Sequence, residues 1–174
     1  MRISLRLITS YRGLEEIKGI YTNSFPAHER REFNELEKQL EKSDNQIFQV
    51  RLKQITIGFI SLWNFDDFAF VEHIAISSSQ RGKGYGKMVV QAVMDTTSKP
   101  IVLEVEPPVD EDSIRRVRFY SSLGFSILPQ VYMQPSYDGV KPSVELKLMT
   151  NYNLPTDTWV MSCIRIIIAS VYSL

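Results

Sequence analysis

Apolar and polar residues alternate with a period of two from Ile3 to Ile8, which predicts a first strand. Leu14, Ile17 and Ile20 or Tyr21 fall at helical spacing between Tyr11 and Asn23, and Ser24, Phe25 and Pro26 break that pattern. Arg30 to Lys42 carries many charges, with Phe33, Leu36 and Leu40 on one stripe, and reads as a surface helix with a narrow apolar face. Three strand-like segments follow, Gln46 to Leu52, Ile55 to Trp63 and Phe68 to Ile76. Lys53-Gln54 and Asn64 to Asp67 are the turns between them.

A helix then runs from the glycine-rich stretch to a stop before Pro100. Ile101 to Glu106 is a strand, and Asp110 to Gly124 a helix with acids in its first turn and a glycine at its end. Val131 to Gln134 and Val144 to Met149 are further strands. Near the C-terminus, Val160, Ile164, Ile167, Ile168 and Val171 mark one apolar helical face, with Ser162, Arg165 and Ser173 elsewhere; the β-branched run would also suit a strand. No linker, repeat or low-complexity tract interrupts the order. The class is α/β with a mixed sheet, organised as a domain over 1–150 and a C-terminal extension over 151–174 that packs as a helix of the same domain.

Composition narrows the function classes. The 174 residues hold 20 basic and 20 acidic side chains, so no global field draws the chain to nucleic acid or to an anionic membrane. The apolar stretch from Val160 to Leu174 contains Arg165 and is short for a span, which needs roughly 20 residues. Cys163 is the single cysteine, so no internal disulfide forms, and a cytoplasmic setting is expected. His28 and His73 stand in no metal-ligand spacing, and no metal is expected.

The most informative stretch is HIAISSSQRGKGYGK, where Gly82, Gly84 and Gly86 alternate with Lys83 and Tyr85 at the entry to a helix. A helix start offers unpaired N–H groups to phosphate oxygens, and glycines clear the approach and allow the positive φ of an anion nest. Spacing excludes two phosphate motifs. A P-loop would need one more residue between its glycines and a hydroxyl where Met88 stands; a dinucleotide fingerprint would need glycine where Lys87 stands. The arrangement that fits is Arg81-Gly82-Lys83-Gly84-Tyr85-Gly86, that is, Arg/Gln-x-x-Gly-x-Gly/Ala.

With these residues the chain resembles the GNAT superfamily of N-acetyltransferases. Tyr120-Ser121-Ser122-Leu123-Gly124-Phe125 matches a second family motif, Tyr-x-x-x-Gly-Phe, at the end of a helix and in the family's order. The resemblance spans Phe68 to Phe125. It implies the GNAT fold, a largely antiparallel sheet splayed between its fourth and fifth strands, and acetyl-CoA as cosubstrate with no metal. It further implies that backbone groups of Ile74, Ala75 and Ile76 pair with the pantetheine arm, and that the N–H groups of Arg81, Gly82, Lys83, Gly84, Tyr85, Gly86 and Lys87 meet the pyrophosphate. Ser113 and Arg116 occupy places where the family often has asparagine and a small residue that also contact the cofactor.

Amide formation needs an amine that has lost its proton and a leaving thiolate that gains one. Tyr120 matches the family's general acid; an ordinary amphipathic core tyrosine is the competing reading. Glu72 shares a strand face with Phe70 and Ile74 and is the candidate base, against a solvated or ion-paired structural carboxylate, with Glu104 or Glu106 as substitutes. His73 points opposite to Glu72 unless a bulge intervenes. Phe25, Glu29 and Arg30, with Arg31, lie where the family shapes its acceptor site, although such a charge run also suits a solvated helix start. Tyr132 and Tyr137 would face them, unless the turn at Pro135, Asp138 and Gly139 explains both. The expected reaction is acetyl transfer to an amine, on a small molecule rather than a protein, by direct attack in a ternary complex. A CoA-binding sensor without turnover is the alternative. A homodimer would form through the last strand or the terminal helix.

Overall fold

The computed structural model describes residues 2–172, so Ser173 lies outside the described residues. The chain divides into two compact units, Met1–Ser98 and Lys99–Leu174.

In the first unit, β1 (Ile3–Leu7), β2 (Asn45–Leu52), β3 (Ile55–Asn64) and β4 (Ala69–Ile76) pair in sequence as an antiparallel meander. The strand pattern read from the sequence is thus reproduced to within a residue. Helices α1 (Tyr11–Glu15), α2 (Lys18–Ser24) and α3 (Leu36–Gln39) bring Leu14, Ile17, Tyr21 and Leu36 into one core with Ile47 and Phe59. Each such burial contributes about 1.5–3 kcal/mol. Helix α4 (Tyr85–Thr96) buries Val89, Val90 and Val93.

Two helices differ from the sequence expectation. The helix expected from Tyr11 to Asn23 is divided: the Ile17 N–H donates to Leu14 O at 2.9 Å, a tight i to i−3 closure, before Tyr21 N–H resumes the α pattern on Ile17 O at 2.8 Å. Gly13 and Gly19 weaken helical persistence on both sides of the break. The single surface helix expected from Arg30 to Lys42 is also broken. Its start is extended at Arg30 and Glu32, a 3-10 turn spans Phe33–Glu35, and only α3 is α-helical. Arg31, read as part of a solvated charge run, is 4% exposed and lies between the extended residues Arg30 and Glu32.

In the second unit, β5 (Ile101–Val105) pairs antiparallel with β8 (Val144–Thr150), which also pairs with β6 (Ser126–Ile127) and β7 (Tyr132–Gln134). β6 was not expected, because two residues carry no readable period. Helix α5 (Glu111–Ser121) opens on a capping box: Asp110 Oδ1 accepts from Ser113 N–H at 2.8 Å, and Ser113 Oγ accepts from Asp110 N–H at 3.1 Å. It closes at Gly124, whose φ of +90° lets Phe125 N–H reach Tyr120 O at 3.1 Å.

The C-terminal segment is a helix, α6 (Asp157–Val171), capped by Thr156 Oγ1 on Trp159 N–H at 3.2 Å. Val160, Cys163, Ile164, Ile167 and Val171 are its buried face. Ile168, assigned to that face by spacing, is instead 39% exposed at its rim. Among the described residues no helix is long and apolar enough to cross a membrane.

Candidate functional site

β4 ends at Ile76, and the next residues form a turn rather than a straight entry to α4. Ser77 N–H still donates to Ile57 O at 2.8 Å, Ser78–Gln80 make one 3-10 turn, and Arg81 N–H donates to Ser78 O at 3.3 Å. The Arg81 N–H is therefore turned into the loop, and the candidate cradle narrows to Gly82 through Lys87. Gly82 and Gly84 have φ of +76° and +80°, the left-handed region that a nest requires. A Cβ built on either would meet nothing within 4 Å, so open space stands over the turn. Met88 N–H is the donor that closes on Gly84 O, at 3.2 Å, leaving the first-turn N–H groups of α4 without intrahelical acceptors. These features fit an anionic phosphate group.

The Arg81 side chain holds the turn in place. Its Nε donates to Ile76 O at 3.0 Å and its Nη2 to Ser24 Oγ at 3.4 Å. Lys83 Nζ donates to Gln80 Oε1 at 2.9 Å, which keeps its charge beside the loop.

Upstream, β4 carries an extra residue. The register passes from Ser61 opposite His73 to Leu62 opposite Val71, so Glu72 is bulged. The bulge intervenes as the sequence reading allowed: the Glu72 and His73 side chains are both buried, with His73 Nδ1 3.7 Å from Glu72 Oε1. Trp63, Ser61 and Arg31 hold the carboxylate. Trp63 Nε1 donates to Oε2 at 2.7 Å, Ser61 Oγ to the same oxygen at 3.3 Å, and Arg31 Nε lies 3.4 Å from Oε1. The structural reading of Glu72 as an ion-pair partner thus describes its contacts, and its side chain is 3% exposed.

The segment from Phe25 to Arg31 packs over this network. His73 Nε2 is 3.4 Å from Glu29 O, the Phe25 and His73 ring centroids are 4.5 Å apart, and Tyr21 donates its hydroxyl to Arg31 O at 3.2 Å. Arg30 Nε turns back to Phe25 O at 3.3 Å, and its guanidinium lies 5.7 Å from the Tyr21 ring centroid. Glu29 Oε1 is 3.3 Å from His28 Nε2. Burial is the main cause that lowers the His73 pKa, opposed by the Glu72 charge and the Glu29 carbonyl and reinforced by Arg31 and Arg30. Burial likewise pushes the Tyr21 phenol above its ordinary range.

In the second unit, Tyr120 is 6% exposed at the end of α5, and burial pushes its pKa up to about 12, against the lowering effect of Arg116. It therefore stays protonated across the physiological range. Ser113 is occupied by the capping box, and Arg116 pairs with Glu106. Tyr132 and Tyr172 both donate to the Glu104 carboxylate, Tyr172 at 2.9 and 2.8 Å, and the Tyr137 ring lies 4.9 Å from that of Tyr172. Asp138 does build the expected turn: its Oδ1 accepts from Val140 and Lys141 N–H groups, which hold its pKa far below the carboxylate range.

Sequence reasoning did not single out Trp63, Ser61 or Tyr172. Ser61 and Trp63 share one face of β3 by alternation, so the strand pattern contained that pair. Tyr172 follows the apolar stripe of α6 and carried no signal. Among the described residues there is no group of three or more His, Cys, Asp or Glu side chains that could hold a metal ion.

Comparison with known proteins gives one family. The model of the Acetyltransferase (GNAT) family matches residues 14–125. A solved structure from Bacteroides thetaiotaomicron, assigned to that family, is 29% identical, covers 100% of this chain and 99% of its own, and superposes with a TM-score of 0.89. YjbC of Bacillus subtilis (strain 168), which its name places among the acetyltransferases, is 46% identical over 59 residues. That match covers 32% of this chain and 30% of YjbC, so the chain spans less than a third of the curated relative it matches. A spermidine N-acetyltransferase mutant of Vibrio cholerae shares the fold, with a TM-score of 0.62 at 19% identity over 86% of this chain and 94% of its own.

Proposed function

Because the chain belongs to the GNAT family of acetyltransferases, we propose that it moves the acetyl group of acetyl-CoA to an amine of a small-molecule acceptor by direct attack in a ternary complex. The observation that carries this reading is the turn at Gly82 and Gly84, with two positive φ angles and open space above it, at the mouth of α4. Backbone N–H groups from Gly82 to Lys87 hold the pyrophosphate, and Lys83 and Lys87 add positive charge. Arg81 acts through its side chain, fixing the turn to Ile76 O.

Acetyl-CoA supplies an activated acyl carbon. Ile74, Ala75 and Ile76 present main-chain groups to its pantetheine arm, and a β4 N–H polarises the thioester carbonyl as charge grows on the oxygen. The bond from nitrogen to the acyl carbon forms as the carbon–sulfur bond breaks. Tyr120 donates a proton to the departing sulfur; its burial keeps that proton available at any physiological pH. Glu72 takes up, through water, the proton the ammonium loses. Its low exposure supports a relay rather than direct contact, and the donors from Trp63 and Ser61 fix the carboxylate's orientation. Ser113 and Arg116 steady α5 and the end of β5. Phe25, Glu29, Arg30 and Tyr132 shape acceptor binding, and the site is that of a cytoplasmic enzyme with no metal requirement.

Titration calorimetry with desulfo-CoA tests the cradle directly. Wild type should bind in the micromolar range, and Gly84→Val should weaken binding at least about tenfold, because a β-branched side chain both resists φ of +80° and fills the approach. Equal affinity in the two proteins would remove the turn from the cofactor site.

A further inference from the structure

Helix α6 carries a second patterned face beside the one it buries. At about 100° per residue, Asp157, Met161, Arg165 and Ile168 fall within one quarter of the helical circumference, and all four are exposed. Met161 is 49% and Ile168 39% exposed, and Leu154, just ahead of the helix, is 81% exposed. A lone exposed apolar side chain needs no explanation, but these three recur at one spacing, two helical turns apart. The charges are placed evenly about the middle one: Asp157 stands a helical turn before Met161 and Arg165 a turn after it. Asp157 Oδ1 accepts from Gln130 Nε2 at 2.8 Å, and a carboxylate has lone pairs for further donors. Among the described residues Arg165 makes no ion pair. The helix dipole accounts for Asp157, which lies in the first turn. It does not account for Arg165, since the last turn of α6 holds no basic residue and the dipole's influence fades within a turn of each end.

A second copy of the same helix accounts for the whole set. In a parallel pair, Asp157 would face Asp157 and Arg165 would face Arg165, two repulsive contacts. Reversing one helix sets each Asp157 against Arg165 of the other copy, brings Met161 against itself on the two-fold axis, and carries Ile168 to the end that bears Leu154. Such an arrangement is isologous and closed. We propose that α6 is the interface of a homodimer, packed antiparallel on its copy about a two-fold axis at Met161, with two ion pairs between Asp157 and Arg165 fixing the register. Exposed ion pairs contribute little affinity, so the apolar centre holds the copies together and the charges choose the orientation. One face of a 15-residue helix, about 22 Å long, is smaller than the roughly 800 Å² per partner of a standard interface, so the dimer is weak and concentration-dependent. β8, the other surface expected for a homodimer, already pairs with β5, β6 and β7. The helix lies beyond residue 125, where the match to the family model ends, and pairing through it does not depend on acetyl transfer.

Sedimentation equilibrium of the full chain, from micromolar to millimolar concentration, tests this in wild type, Met161→Glu, Arg165→Asp and the double variant Asp157→Arg with Arg165→Asp. Thermal unfolding of each at low micromolar concentration checks that the fold is kept. The expected result is a reversible equilibrium between monomer and dimer in wild type. Met161→Glu brings two like charges onto the axis and should raise the dimer Kd at least about tenfold. Arg165→Asp sets an acid against Asp157 of the other copy and should raise Kd by a similar factor, and the double exchange should return it to within about threefold of wild type. Asp157→Arg also gives up the Gln130 hydrogen bond; where the double variant unfolds early, Met161→Glu alone decides. A wild type that stays monomeric at the highest concentration, or a dimer unchanged by Met161→Glu, would overturn the interface. Loss of the dimer in Met161→Glu with no recovery in a folded double variant would overturn the antiparallel register.

Discussion

Removing one charge from the Arg31–Glu72 pair leaves the other buried, since the two side chains are 5% and 3% exposed. Glu72→Gln should therefore cost about 3 kcal/mol of stability in urea unfolding, and replacing Arg31 by Met in the same chain should recover part of that loss. No change in the single variant would show that the pair is not the buried ion pair described. Tyr120→Phe should lower kcat about a hundredfold while leaving acetyl-CoA binding intact. Because burial raises the phenol to about 12, wild-type kcat should show no descending limb near pH 10; a limb there that Tyr120→Phe removes would contradict the buried acid. The His73 pKa is lowered on folding, so the unfolded chain takes up its proton first as pH falls. Its contribution is fully present above the ordinary histidine range and is lost below it, and His73→Gln should flatten the fall in unfolding free energy between neutral and mildly acidic pH. At this scale the sequence singled out Tyr120 by a short motif and Glu72 by a strand alternation that the β4 bulge interrupts at that residue. It did not show Arg31 or Trp63, whose contact with Glu72 is made by chain reversals that no local pattern records.

Strands and long helices were legible, and short helices were not. α4 carries an apolar stripe of Val89, Val90 and Val93 and α5 has recognisable ends, whereas the break between α1 and α2 falls between Gly13 and Gly19, inside a run whose apolar spacing is helical throughout. The β4 bulge could be anticipated only as an alternative, because one extra residue leaves no trace in a period-two pattern. β3 offers a direct test of element packing. A Cβ on Gly58 would fall 2.4 Å from Ala75 O and 2.8 Å from Ile76 Cδ1, so Gly58→Ala must push β4 away just where it leads into the cradle. We expect destabilisation of about 1–3 kcal/mol by thermal or urea unfolding, together with weaker desulfo-CoA binding. Gly82→Ala meets no atom within 4 Å and should show only the cost of its φ of +76°, about 1–2 kcal/mol. An equal effect of both substitutions on the packing of β4 would contradict the difference in their surroundings.

For the molecule as a whole, the family was legible from two motifs lying between Arg81 and Phe125, and the comparisons extend the fold likeness across the entire chain. What the sequence did not carry is the convergence of β5, β7 and α6 on Glu104, since Tyr132 and Tyr172 reach it over sequence separations of 28 and 68 residues. The proposed reaction is transfer of an acetyl group from acetyl-CoA to an amine. It is tested most directly by following free thiol release from acetyl-CoA in the presence and absence of amine acceptors. Release that depends on both amine and enzyme, with the acetylated amine recovered in equal amount, is the predicted result. Tight desulfo-CoA binding with no amine-dependent thiol release for any acceptor would rule out this reaction and leave a CoA-binding protein without turnover.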